Sequence, residues 1–212
     1  MTQLLNLTLG ALLALMSATF LDWKKRRREK KEAAGHLGVI VLMQLNRLIA
    51  QCAAVAGDDG TAYGRPAGRM ESGEEYYMPQ TENPVLELDQ LKVEWRSISP
   101  NTMYAIHRIP AQLAEIESLL SFEADQEGPP YDIWISLRQE KYAGLGIAVA
   151  ALSEQLRSET NLPEVTDRQW KPEEFLEERY TALLKRREEQ EERQSALIAE
   201  LSPPPPITTS NS

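Results

Sequence analysis

The chain is built from apolar stripes interrupted by polar breaks, and most stripes repeat every three or four residues. The first break-free stretch runs from Leu4 to Leu21, "LLNLTLGALLALMSATFL", without a charge. A membrane-spanning helix needs about 20 mostly apolar residues, and Trp23 is suited to sit at the interface. The pattern predicts a transmembrane anchor over 1–23. Inside it Asn6, Gly10, Ala14 and Ala18 recur every four residues. Small residues at that spacing let two helices approach closely, and an Asn can bond across them. Anchor self-association is one reading. Chance spacing in an Ala- and Gly-containing segment is the better-supported one.

The next stripe, "LGVIVLMQLNRLIAQCAAVA" over 37–56, places Gly38, Val41, Leu45, Leu48, Cys52 and Val55 on one line. Gln44, Asn46, Arg47 and Gln51 occupy the other faces. An Arg near the middle of a span costs about 2.5–3.5 kcal/mol on insertion scales. A helix with a broad face buried in a protein core is therefore expected here. Insertion as a second span, with the domain on the outer side, is the alternative topology. Residues 57–84 then hold five Gly, three Pro and the polar run "ESGEEYYMPQTENP", without a visible helix or strand period. They read as a long polar loop, in which Tyr63, Tyr76 and Tyr77 offer contact area.

From Val85 onward Leu88, Leu91, Trp95 and Ile98 step by three, four and three, which predicts a helical face. Pro100 restarts the chain, because a proline disfavours helix before it. Met103, Ile106, Pro110, Leu113, Ile116 and Leu120 continue a stripe, with a kink expected at Pro110. After "QEGPP", Ile133, Leu137, Leu145, Val149, Leu152 and Leu156 mark another helix. Its "AGLG" puts two glycines mid-helix, each costing about 1 kcal/mol relative to Ala. That cost predicts a tight helix crossing against Ala143, Gly146 and Ala150. A last helix opens at Pro172, with Leu176, Tyr180 and Leu183 facing inward. Over "KRREEQEERQ" it turns charged, with Arg187–Glu191 and Glu189–Arg193 at four-residue spacing. That segment suits a solvated or coiled-coil extension, although its thin apolar line does not support a strong coiled coil.

The fold expectation is all-α: an N-terminal transmembrane helix followed by an antiparallel bundle of about four to five helices. The parts are the anchor at 1–23, a basic stem at 24–36, a helical domain at 37–201 and a disordered Pro-rich tail at 202–212. Within the domain lie the loop at 57–84 and the charged helix at 173–201.

Charge changes this picture in one respect, orientation. Residues 24–31 hold seven of the 23 Lys and Arg and a single carboxylate. They are Lys24, Lys25, Arg26, Arg27, Arg28, Lys30 and Lys31. From Ala33 onward 16 basic and 29 acidic residues give a balance of −13. So acidic a body repels phosphate backbones, which excludes nucleic acid as a default partner. Basic residues beside a span stay on the cytoplasmic side. The expectation is a single-pass protein of the plasma (inner) membrane, N-terminus outside and domain cytoplasmic. A cleaved signal peptide is the rival, with "MSA" at 16–18 as its cleavage site. The positives stand behind the apolar run instead of before it, which argues against cleavage. Anionic lipid headgroups are then a partner of the stem, at about 1 kcal/mol per basic residue.

Candidate chemistry is sparse. Cys52 is the one cysteine, so no intrachain disulfide exists, and His36 and His107 are the two histidines. His36 lies between glycines, where a flexible join explains it. His107 beside Tyr104 and Arg108 is the better acid–base candidate, with Arg96 a further pocket candidate. No HExxH, di-iron ExxH, GxSxG, P-loop or GxGxxG pattern occurs, and no cofactor or metal is expected. The reading is an interaction or scaffold protein without a recognised catalytic motif, whose partners are other proteins or a second copy of itself. The alternative is a membrane-tethered sensor or enzyme with a small-molecule site inside the bundle, where Arg96, Tyr104 or His107 converge. A component of an envelope complex facing outward would require the two-span topology.

Overall fold

In the computed structural model the described residues are 2–129, 131–164 and 169–201, with side chains described except at 2–19, 127 and 199–201. The Pro-rich tail and the side chains of Asn6, Gly10, Ala14 and Ala18 therefore lie outside the described residues. The described chain is mostly helical: α1 (Thr2–Gly57), α2 (Pro100–Glu127), α3 (Asp132–Thr160) and α4 (Pro172–Leu201). A two-residue antiparallel ladder, β1 (Gly68–Arg69) with β2 (Glu75–Tyr76), lies in the connector after α1. The N-terminal helix contains, within Phe20–Gly57, a stretch long and apolar enough by length and composition to cross a membrane. Half of that stretch is buried inside the protein, as a core helix would be.

The chain divides into two compact units that exchange segments of the same helices. Unit one comprises Met1–Gln51, Pro84–Glu117 and Ala148–Trp170. Its core takes Leu37, Val41, Leu45 and Leu48 from α1, Ile106, Ile109 and Leu113 from α2, and Val149 and Leu156 from α3. Val41, Leu45 and Leu48 are on the predicted line, Leu37 is a core position beside it, and Arg47 is exposed as expected. At Gly38 a Cβ would come within 2.6 Å of Thr160 Oγ1, so α1 meets the end of α3 at backbone distance. Ser99 caps α2 by accepting from Thr102 N at 3.2 Å, and Pro100 takes the first helical position, where its missing N–H costs nothing. Glu159 of α3 accepts from Ser99 N and from Thr102 Oγ1 (2.6 Å), placing a carboxylate at the positive end of α2. α3 ends in a Schellman turn: Asn161 has φ 56°, Leu162 N donates to Arg157 O and Asn161 N to Ser158 O.

Unit two comprises Cys52–Asn83, Ser118–Ile147 and Lys171–Ser212. Here the end of α2 and the start of α3 run antiparallel around a turn with Gly128 and Tyr131 in the left-handed region. Trp134 Nε1 donates to Leu120 O at 2.6 Å across this hairpin. The expected close crossing is found at Gly146. A Cβ there would lie 2.7 Å from Leu176 Cδ1 of α4 and 2.9 Å from Cys52 Cβ of α1. Leu176 and Leu183 are buried and Tyr180 is half-buried, as predicted, while α4 from Lys185 to Ile198 is exposed throughout.

Four expectations need correction. Residues 85–94 are not helical; only Trp95–Ser97 form a 3₁₀ turn. Burial alternates instead: Leu91, Val93 and Trp95 are half-buried while Lys92, Glu94 and Arg96 are exposed, along a segment with short turns at Leu88–Leu91 and Leu91–Val93 that leads into the 3₁₀ turn. In α3 the buried face is Ile135, Arg138, Tyr142, Leu145 and Val149, whereas Ile133 is 63% exposed. In α2 Ile109 is buried and Pro110 exposed, and the helix continues through the proline. The join around His36 is also no hinge, since α1 is one helix through Gly35, His36 and Gly38.

Candidate functional site

The most elaborate polar site is a buried knot in unit two. α1 stops at Gly57, and the next residue, Asp58, turns its side chain back to accept from Gly60 N at 3.0 Å. This is an Asx-turn, and it is completed by Gly60 at φ +77°, where a Cβ would approach Tyr77 Cβ to 2.9 Å. The other carboxylate oxygen receives Gln80 N (2.8 Å), Thr81 N (2.9 Å) and Thr81 Oγ1 (2.7 Å) from the far end of the connector. α3 supplies Arg138, the largest of the fully buried side chains. Its guanidinium donates to Asp58 Oδ2 (3.2 Å), Asn83 Oδ1 (3.2 Å) and Thr81 O (2.8 Å). Gln139 closes the knot by donating to Asp58 O at 2.7 Å. Burial pushes the Asp58 carboxyl up. The hydrogen bonds from Thr81, Gly60 and Gln80 outweigh that and hold it below the usual carboxylate range.

Beside the knot a groove of about 430 Å³ opens between the connector and the α3 and α4 segments of this unit. Asp59, Glu74, Glu75 and Tyr77 line one side, and Gln139, Arg179 and Arg186 the other. Two of its charges are already engaged: Arg179 Nε donates to Ala56 O (3.0 Å), capping α1, and Glu75 pairs with Arg69 (2.8 Å). Further along, Glu140, 7% exposed, accepts from Arg187 Nη1 at 2.7 and 2.8 Å, tying α4 to α3. Among the described residues no group of three or more His, Cys, Asp or Glu is placed to hold a metal ion. Cys52 is buried, and burial pushes its thiol up to about 12, which keeps it protonated and unreactive.

The residues expected to form a pocket do not converge. In unit one Tyr104, 67% exposed, lines an open groove with Arg108 and Gln155. His107 packs its ring on Trp95, with centroids 4.4 Å apart, and serves as a packing partner of the 3₁₀ turn. Arg96 points elsewhere, into a groove of about 350 Å³ shared with Arg26 and Lys30 of the basic stem. Within the stem, Trp23 is 55% exposed, Phe20 lies 6.0 Å from it, and the Arg27 guanidinium stands 5.3 Å over its ring. Lys25 pairs with Glu29 (3.9 Å) and Arg28 with Glu32 (2.9 Å) at four-residue spacing. Lys24 and Lys31 are exposed on the same helix.

The knot was missed at the sequence level because Arg138 sits in "SLRQEK", which reads as a solvated face. One signal was available: Ile135, Arg138, Tyr142, Leu145 and Val149 follow a three- and four-residue step, with the arginine occupying a core position. Compared with protein-family models, curated proteins and solved structures, the chain has no match.

Proposed function

We propose that the chain is a single-pass membrane-anchored helical interaction or scaffold protein, its N-terminus outside and its acidic domain cytoplasmic. The observation that carries this reading is the continuity of α1. One helix, Thr2–Gly57, runs from the uncharged segment through the basic collar into a buried core stripe. An apolar segment, an interfacial Trp, then a block of Lys and Arg is the order that fixes a span with its basic end in the cytoplasm. A folded domain rigidly continuous with that span suits a platform held near the bilayer. The interaction role is supported by what the surface offers: a solvated, ion-paired α4 with Leu197 and Ile198 about 60% exposed, and an ordered polar connector presenting Tyr63. Tyr104 and Arg96 line separate grooves and His107 packs on Trp95, so these three residues lend no support to a small-molecule site inside the bundle.

The test is a pair of C-terminal reporter fusions, one fluorescent only in the cytoplasm and one enzymatically active only outside, followed by alkaline washing of the membranes. The expected outcome is fluorescence, no external enzyme activity and retention of the chain in the washed pellet. External activity would reverse the orientation, and release into the wash would remove the anchor.

A further inference from the structure

We propose that the groove formed by Arg26, Lys30 and Arg96 binds the phosphate of an anionic lipid headgroup, which deepens the membrane-anchored reading above and rests on it. Two elements of unit one build the groove. Arg26 and Lys30 are four residues apart, so they lie on one face of α1. Arg96 comes from the 3₁₀ turn Trp95–Ser97, which is held in place from both ends. Ser97 Oγ donates to Glu94 O at 2.6 Å, Ser97 and Ile98 are buried, and Trp95 rests on His107. Arg96 is thus presented to the stem by a fixed turn rather than by a loose loop.

Pairing divides the stem's cations into two sets. Lys25 and Arg28 have carboxylate partners on the same helix, and Arg27 stacks on Trp23. Arg26, Lys30 and Arg96 have no ion-pair or hydrogen-bond partner among the described residues. Two carboxylates share the lining: Glu29, already paired with Lys25, and Glu94. Three cations converging on a groove of about 350 Å³ match a phosphate, which offers several acceptor oxygens and takes guanidinium groups well.

Height selects the lipid as the source. With Trp23 at the hydrocarbon boundary, a rise of 1.5 Å per residue puts Arg26 about 4.5 Å and Lys30 about 10.5 Å further out. The headgroup layer on one side is about 5–7 Å thick. The groove therefore opens at the outer edge of the phosphate layer, where anionic lipids are the most concentrated phosphate.

The test uses the full-length protein in phosphatidylcholine bilayers carrying a minor fraction of photoactivatable phosphatidylglycerol or, in parallel, photoactivatable phosphatidylcholine. The adduct on the segment 94–97 is quantified by mass spectrometry. Phosphatidylglycerol should label that segment several-fold more than phosphatidylcholine. Arg96→Ala should lower labelling about fivefold, and Glu94→Gln should raise it, whereas Lys185→Ala, outside both the basic stem and the groove, should leave it nearly unchanged. Equal labelling by the two lipids, or an unchanged Arg96→Ala, overturns the proposal. Loss of the adduct on adding millimolar inorganic phosphate would assign the groove to a free anion and also overturn it. Alkaline washing separates the two levels. A chain released by the wash overturns the anchor and this site together, and a chain retained without headgroup preference overturns the site alone.

Discussion

Arg138 in unit two and Arg96 in unit one are both single arginines on short polar stretches, yet they meet opposite environments. Arg138 is 1% exposed, and its donors go to a carboxylate, an amide oxygen, a hydroxyl and a backbone carbonyl of its own chain. Arg96 is exposed, stands on a rigid turn and finds no partner among the described residues. The difference separates structure from availability. A charge taken out of water must be satisfied internally or the fold loses several kcal/mol, so Arg138 has no capacity left for a ligand. A charge left in water beside two others contributes little to stability and keeps its donors for something else. Charge alone therefore does not locate a site; the state of its hydrogen bonds does.

The largest expected effect follows from breaking the buried side of this comparison. Arg138→Met leaves Asp58 buried without its cation, and should cost about 3–5 kcal/mol in urea unfolding followed by circular dichroism in mild detergent. The loss should concentrate in the connector. Thr81 and Asn83 would lose the group that gathers them against α3, and amide exchange there should rise before that of α1. An unchanged unfolding midpoint would mean that Arg138 reaches water and that the knot is not as drawn.

The pH dependence tests the same knot from the carboxylate side. The Asp58 carboxyl is held below its ordinary value near 3.9, so its contribution is fully present above that pH. It is lost as pH falls through the lowered folded value. Stability should thus be flat on this account from neutral pH to about pH 5 and decline below that. Asp58→Asn should start lower at neutral pH and show a shallower acid decline. A parallel decline in both proteins would place the acid sensitivity elsewhere.

Gly146 gives a smaller effect that sharpens the contrast between its two neighbouring glycines. Both lie inside α3, where alanine is ordinarily favoured by about 1 kcal/mol. At Gly146 a Cβ would stand 2.7 Å from Leu176 and 2.9 Å from the Cβ of Cys52, which is set by the α1 backbone. At Gly144 the nearest atom is Tyr180 Cε2 at 3.3 Å, on a half-buried ring that has room to shift. Gly146→Ala should destabilise by about 1–3 kcal/mol and Gly144→Ala by much less, measured by the same unfolding curves.

What the sequence made legible follows the same division. Helix starts were readable where the chain carries local instructions: Ser99-Pro100 and Pro172 with Glu173 and Glu174 open α2 and α4 where expected. The α1 core line was readable because six positions repeat without competition from another period. Residues 85–98 misled because Leu91 and Trp95 fit both the helical step and the alternation Leu91, Val93, Trp95, and the chain there folds through turns into a 3₁₀ turn instead of a helix. The knot was not readable because its partners, Asp58, Thr81, Asn83 and Arg138, are brought together only by the tertiary fold. The groove at Arg96 was half-readable: its cations were singled out, Arg96 apart from the stem, but nothing local says that a turn 66 residues beyond Lys30 returns to it.

The smallest effect tests the continuity on which the anchored reading depends. Gly35 lies inside α1 with nothing within 4 Å of where a Cβ would be, so an added methyl meets open space. If α1 is one helix from the basic stem into the core, Gly35→Ala replaces a poor helix former with the best one. It should then stabilise by about 0.5–1 kcal/mol. If Gly35, His36 and Gly38 instead act as a flexible join, the same substitution stiffens a segment that is not helical and yields no such gain. Measuring Gly35→Ala against wild type in urea, with helix content read by circular dichroism, decides between a rod and a hinge. An absent gain would detach the domain mechanically from the stem, and with it the fixed height that places Arg96 at the headgroups.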